Sequence, residues 1–412
     1  MVNIAVLGHG VVGSGVMEVL ASNGKNIGKK AGKNIEVKKI LDLREFPDLP
    51  YADRFTKNFQ EILSDDSIHV VVEVMGGVNP AYEYVSESLK KGKSVVTSNK
   101  ELVAAKGAEL LKIANEHNVN FLFEASVGGG IPIIKPLHLC LGANEIFEIA
   151  GILNGTTNFI LTKMIRESMS FADALAMAQK LGYAEANPAA DVEGHDACRK
   201  ICILASLSFG RHIYPESVPT EGITKITLED VAYAESFGRV IKLIGHAKKL
   251  EDSDQVSIMV SPMMVSKSSQ LSSVDDVYNG ILVRGSATGD VVFYGKGAGK
   301  LPTASAVVSD IIDCIRADGT IKSLQWQDST ESRVADYKQQ PVRAYVRYLG
   351  EKGAELAASL FGEVEFLSRE GRPMEEAAFV TPLLSEEKLE ENLNNMRRQG
   401  VEILGKIRLL EE

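Results

Sequence analysis

Residues 182–200 crowd four carboxylates, Glu185, Asp191, Glu193 and Asp196, and one amine, Lys200, around two backbone punctuators, Pro188 and Gly194. Proline and glycine forbid a continuous helix, so Glu185 and Asp191 fall on an irregular segment, and the apolar run at 201–207 begins a helix just beyond. Asp196 and Lys200 then share a helix face, because residues four apart on a helix are neighbours. An acid and an amine delivered to one spot suit a ligand with a positive charge and an exchangeable proton. The competing reading is a solvated surface pair worth roughly 0.3 kcal/mol. Against it, the helix after Lys200 reads as buried, and a lysine entering a buried helix has a partner or a task.

Three further constellations could do chemistry. Thr97-Ser98-Asn99-Lys100 follows an aliphatic strand, and open α/β sheets place their ligands at the carboxyl ends of their strands. Phe123-Glu124 leads into Val127-Gly128-Gly129-Gly130-Ile131, where three glycines expose carbonyls that could turn inward with the Glu124 carboxylate. Such an oxygen set suits a hard cation, and a tight interdomain turn explains the same residues equally. Asn154, Gly155 and Thr156 precede a helix expected to start near Phe159; they offer donors for a carboxylate, or a plain helix cap.

These groups need elements to position them. An aliphatic strand at 2–7 runs into Gly8-His-Gly10-Val11-Val12-Gly13 and then an amphipathic helix, the order a dinucleotide-binding unit requires. Gly8 permits the turn, Gly10 lets the backbone approach a pyrophosphate, and Gly13 lets the helix pack on the strand. Further strands are expected at 35–41, 69–75, 94–97 and 120–124. Residues 21–34, rich in Gly, Asn and Lys, read as a long exposed loop. Asp42, closing the second strand, suits the ribose hydroxyls of NAD; Arg44 suits a 2′-phosphate, or is simply solvated. Gly297-Ala-Gly299 leads to a helix expected after Pro302-Thr303, and either returns the chain to the cofactor or makes a left-handed turn.

The 412 residues suffice for two or three domains. Aromatics are only 6% while 45% of residues are hydrophobic, which favours an aliphatic α/β interior. A formal charge of -10 with no basic run argues against nucleic acid. Cys140, Cys198, Cys202 and Cys314 form no CxxC pair and read as reduced core residues. With no basic leader and no apolar segment long enough to cross a bilayer, a cytoplasmic protein without membrane partners is expected.

Together the glycine loop, Thr97-Ser-Asn-Lys100, Glu124-Ala-Ser-Val-Gly-Gly-Gly-Ile-Pro, Gly151-Ile-Leu-Asn154-Gly-Thr156-Thr157-Asn158, the 178–200 stretch and Tyr294-Gly-Lys-Gly297-Ala-Gly299-Lys-Leu-Pro302-Thr303-Ala-Ser305 resemble homoserine dehydrogenases over roughly residues 1–320. The resemblance implies reversible oxidation of L-homoserine to L-aspartate 4-semialdehyde with NAD or NADP. It implies that Lys200 exchanges the proton at the substrate C4 oxygen, that Asp196 holds the same end, and that Lys100 is the second active-site lysine. Gly182, Tyr183, Glu185, Asp191, Asn154 and Thr156 would bind the amino-acid end. Gly8, Gly10, Val11, Val12, Gly13, Asp42, Arg44, Thr97, Ser98, Lys100 and Gly299 would line the dinucleotide. Glu124, with the carbonyls of Val127, Gly129 and Ile131, would hold a structural sodium ion. Relatives using the phosphorylated cofactor often carry a basic residue just before the aspartate; here Leu41 stands there, which weakens strict NADP dependence and points to use of both.

The expected architecture is α/β: a Rossmann-type doubly wound parallel sheet at 1–132 plus about 300–325, a mixed α+β substrate and dimerisation domain at 133–299, a linker at 326–340, and a small ACT-like βαβ domain at 341–412. The resemblance further implies a homodimer or homotetramer, a threonine effector or a purely structural role for the tail, and a monofunctional chain with no aspartokinase segment ahead of it. Two other classes fit parts of the pattern. Another amino-acid dehydrogenase of this architecture should lack the complete 185–200 pattern, and a non-catalytic nucleotide-sensing protein would need no lysine in it.

Overall fold

The computed structural model describes residues 1–251, 253–317, 324, 326–328 and 332–411. The first unit runs β1 (Val2–Leu7), α1 (Val11–Ala31), β2 (Ile35–Leu41), β3 (Phe55–Thr56), α2 (Gln60–Leu63), β4 (Ile68–Glu73), α3 (Ala81–Lys90), β5 (Ser94–Thr97), α4 (Lys100–Glu116) and β6 (Phe121–Leu122). Its strands form one sheet in the order β3-β2-β1-β4-β5-β6, every pair parallel. The order reverses between β1 and β4, which opens the crevice where such sheets bind ligands. β1 and β4 are almost wholly buried, as strands covered by helices on both faces must be.

Two expectations need correction here. Residues 21–34 are not a loop, since α1 continues to Ala31 before Gly32 ends it in the left-handed conformation. The stripe Val16, Leu20, Ile27 and Ala31 packs into the core at helical spacing, and Lys29 and Lys30 favour the helix carboxyl end. Tertiary burial outweighs the poor helix propensity of the intervening Gly and Asn. Glu124 lies beyond its strand, on a short 3₁₀ turn at Glu124–Ser126.

The second unit continues β7 (Ile146–Ile152), α5 (Gly155–Glu167), α6 (Phe171–Lys180), α7 (Ala189–Val192), α8 (His195–Phe209), α9 (Leu228–Ser236), β8 (Arg239–Lys249), β9 (Val256–Ser266), β10 (Tyr278–Gly285) and β11 (Gly289–Lys296). α10 (Lys300–Arg316) then returns to pack on α1 of the cofactor unit. It starts at Lys300, ahead of the expected position, with Pro302 in its first turn where a missing amide is harmless.

The tail adds β12 (Pro341–Val342), β13 (Ala344–Leu349), α11 (Gly353–Phe361), β14 (Glu365–Leu367), β15 (Glu376–Val380), β16 (Leu384–Ser385), α12 (Glu386–Arg398) and β17 (Glu402–Leu409). Its main strands and those of the second unit form one nine-stranded sheet, β11-β10-β7-β8-β9-β17-β13-β15-β14. The junction is a parallel pairing of Arg408 with Met263 and Leu409 with Met264. Parts of the segments expected at 300–325 and 326–340 lie outside the described residues. Within them Trp326 is buried and donates its indole N–H to His212 Nδ1 at 2.9 Å. All four cysteines are free, but Cys140 is exposed rather than in the core. Among the described residues no helix is long and apolar enough to cross a membrane.

Candidate active site

α8 is capped by Gly194 and buried over most of its length. On it Lys200 Nζ donates to Asp196 Oδ2 at 2.8 Å, and to the Leu153 carbonyl at 2.7 Å. Both side chains are nearly inaccessible, so the solvated-pair reading fails. Lys100, the first residue of α4, places its Nζ 2.6 Å from Asp196 Oδ1. One buried carboxylate is thus shared by two amines.

The three charges titrate unequally. Burial lowers the proton affinity of Lys200; Asp196 opposes this and the nearby Lys100 charge reinforces it, leaving the pKa below that of free lysine. Burial acts on Lys100 the same way but is outweighed by Asp196, so its pKa is raised. Asp196 is desolvated yet held well below the usual carboxylate range by the two lysines. Lys100 is therefore the fixed cation and Lys200 the amine that can exchange a proton.

Asn154 joins this cluster to the turn that carries Asp191. Its Oδ1 caps α5 by accepting from the Thr157 amide, while its Nδ2 donates to Asp191 Oδ1 at 2.7 Å and Asp196 Oδ2 at 2.8 Å. The cap reading holds for the oxygen end of this amide, and the nitrogen end is taken by the two carboxylates. α5 begins at Gly155, ahead of Phe159, so the amides of Gly155 and Thr156 belong to its unsatisfied amino terminus. Thr156 Oγ1 donates to the Tyr183 carbonyl at 2.6 Å. Asp191 has its pKa raised, chiefly by burial and further by Asp196. Gly182, Tyr183 and Glu185 lie on the exposed rim, and among the described residues no side-chain hydrogen bond draws the Glu185 carboxylate into the cluster.

At the cofactor edge a Cβ on Gly13 would lie 2.0 Å from the Gly8 carbonyl oxygen, so only glycine fits. Above Gly10 the space is open, and Val11 is left exposed beside it. Asp42 accepts from the His9 amide and takes Arg44 in a two-point pair at 2.9 and 3.0 Å. That guanidinium, before any other cause, holds the Asp42 carboxyl well below its ordinary range. Thr97 Oγ1 donates to Glu73 Oε2 at 2.6 Å, and Ser98 gives its amide to the Glu73 carbonyl. Gly299 is the N-cap of α10, next to Lys300, whose carbonyl meets Gly15 of α1.

Glu73 was missed by sequence reasoning. Fully buried at the carboxyl end of β4, it accepts the Met75 amide at 2.8 Å and Thr97, tying two crevice loops together. An acid closing an aliphatic strand, as Asp42 does, was the available signal.

Glu124 Oε1 accepts the amides of Ile133 and Ile134, and Oε2 that of Lys135, so the carboxylate anchors the chain as it enters the second unit. Gly129 has φ +57°, and a Cβ there would lie 2.4 Å from the Gly297 carbonyl. These facts support the interdomain-turn reading. Oε2 accepts one amide only, and no hydrogen bond among the described residues reaches the carbonyls of Val127, Gly129 or Ile131. The oxygen set remains compatible with a hard cation.

An open parallel sheet whose order reverses beside a glycine turn takes a dinucleotide, and two amines sharing one buried carboxylate manage a proton. Joined in one chain, they define a nicotinamide-dependent oxidoreductase. Within that class the chain belongs to the homoserine dehydrogenase family. The family model described as homoserine dehydrogenase matches residues 132–312, and that described as the homoserine dehydrogenase NAD binding domain matches residues 8–124. The homoserine dehydrogenase of Synechocystis sp. is 47% identical over 321 residues, 76% of this chain and 73% of that protein. That of Bacillus subtilis is 38% identical over 356 residues, 84% and 82% of the two chains. The crystal structure of a homoserine dehydrogenase from Thiobacillus denitrificans superposes with a TM-score of 0.90 at 34% identity, covering 100% of this chain and 98% of its own.

Proposed function

We propose that the protein interconverts L-homoserine and L-aspartate 4-semialdehyde, with Lys200 as the proton-exchanging group. The observation that carries the reading is the buried Lys200 amine, lowered in proton affinity and fixed by Asp196 and the Leu153 carbonyl beside Lys100. A bound nicotinamide dinucleotide supplies the hydride chemistry at the substrate C4. In oxidation Lys200 takes the hydroxyl proton; in reduction it returns it, while the Lys100 cation stabilises charge building on the oxygen. Asp196 keeps both amines aimed at that oxygen. Asp191, with Glu185 from the rim, accepts the substrate ammonium, and the unsatisfied amides of Gly155 and Thr156 at the amino terminus of α5, which Asn154 caps, receive its carboxylate.

The Asp42–Arg44 pair supports use of both cofactors. Asp42 meets ribose hydroxyls, and Arg44, paired with Asp42 but largely exposed, exchanges that pair for a 2′-phosphate when one is present. A hyperthermophilic archaeal homoserine dehydrogenase mutant, 29% identical with a TM-score of 0.65, was solved in complex with NADPH. Glu124 with the carbonyls of Val127, Gly129 and Ile131 would hold a sodium ion that stiffens the passage between the units. Exposed Phe147 and Tyr294 on β7 and β11 favour a homodimer or larger assembly. The tail's βαββαβ order, with strands arranged fourth-first-third-second, favours an ACT-like effector domain responsive to threonine. Four free cysteines suit a reducing, cytoplasmic compartment.

The test is homoserine oxidation by the purified protein with NAD and NADP in parallel, with and without threonine. Turnover with either cofactor is expected; none with both refutes the assignment.

A further inference from the structure

The substrate turn is touched from the far end of the chain. Residues 219–223 lie against the segment joining α7 and α8: Ile223 donates its amide to the Val192 carbonyl at 2.8 Å. A Cβ on Gly222 would lie 2.1 Å from the Val192 oxygen and 2.5 Å from Glu193 Cα, so any other residue would displace the turn. Glu221 donates its own amide to Val260 of β9 at 2.8 Å. Asp191 is the neighbour of Val192, so a shift at 221–223 becomes a shift of the carboxylate that meets the substrate ammonium.

Glu221 is gripped by the tail. Arg408 of β17 donates from Nη1 to Oε2 and from Nη2 to Oε1, each at 2.8 Å. The same guanidinium donates to both Glu386 oxygens, at 3.0 and 2.6 Å. Such a fork fixes two carboxylates in one plane, which a lysine cannot do. Arg408 and Glu386 are buried, whereas the Glu221 side chain is 46% exposed. The pairing of Arg408 with Met263 places this fork beside β9, the strand that also anchors Glu221. Attachment of the tail does not depend on the fork alone, since Arg347 of β13 makes a separate buried pair with Asp230 of α9 at 2.9 Å.

We propose that Glu221 is a positioning residue for the amino-acid substrate, held by Arg408 so that the last strand of the tail sets the place of Asp191. The identity of that ligand rests on the homoserine reading above. Releasing the fork loosens the turn at the ammonium end while Lys100, Lys200 and the dinucleotide crevice keep their own contacts.

The deciding variant is Glu221→Gln in the full chain, which keeps the shape of a half-exposed side chain and removes the charge the fork needs. The KM for homoserine is expected to rise about fivefold or more, with kcat and the KM for cofactor within about twofold. The melting temperature should be unchanged. Arg408→Ala should act in the same direction, and the double variant should be no worse than the more severe single, because members of one contact are not additive. A wild-type KM for homoserine in Glu221→Gln overturns the proposal. So does a loss spread over kcat and both KM values with a lowered melting temperature, the mark of partial unfolding. If Arg408→Ala fails to fold, Glu221→Gln decides alone. Lack of homoserine turnover in the unaltered enzyme is a distinct result: it refutes the reaction, and the proposal with it.

Discussion

Free lysine holds its proton up to a pH of about 10.4, too tightly to serve as a base near neutrality. Burial and the Lys100 charge move Lys200 downward from that value. In the proposed reaction oxidation needs Lys200 neutral, so kcat/KM for homoserine oxidation should rise with pH through the lowered pKa and then level; reduction needs the proton and should fall through the same value. Lys100→Ala removes the like charge, raises the Lys200 pKa and should move both limbs to higher pH. A pH–rate profile that keeps its limbs in place would show that the two amines are not coupled. The Asp196–Lys200 pair was legible in the sequence because four-residue spacing on a helix is a local rule. The Asn154 bridge to Asp191 and Asp196 was not, since contacts across 37 and 42 residues are set by how the start of α5 meets α7 and the first turn of α8.

Among the elements, β1, the glycine turn and α1 carry the clearest code. Gly13→Ala would press a Cβ on the Gly8 oxygen; crowding of that kind costs roughly 1–3 kcal/mol and should weaken dinucleotide binding at least about tenfold, read by titration of cofactor fluorescence. The end of α1 was misread because Gly24 and Gly28 dominate the local propensity, although Ile27 and Ala31 continue the apolar stripe. At the other end of the chain β13 is fixed by the buried Arg347–Asp230 pair. Arg347→Ala leaves Asp230 charged and without its guanidinium, so a loss of about 3 kcal/mol is expected, visible as a lower melting temperature by calorimetry. An unchanged melting temperature would mean that the pair does not hold the tail.

Across the whole molecule, parallel-sheet order follows from strand alternation and right-handed crossovers, which is why the cofactor unit could be foreseen from 35–41 and 94–97. The joining of β17 to β9 could not. Backbone pairing at a sheet edge leaves no side-chain signature, and the Arg408 fork that secures it draws on residues 187 and 22 positions away. The arrangement sets a dinucleotide crevice on one unit, a buried lysine of lowered proton affinity on the second, and a tail joined to the second by a shared sheet. In the proposed reaction Lys200 moves the proton without holding the cofactor. The most direct measurement is turnover of homoserine by Lys200→Ala alongside cofactor binding. Turnover should fall by about 10³-fold or more while the dissociation constant for the dinucleotide stays within about twofold. Near wild-type turnover in that variant would contradict the assignment of Lys200.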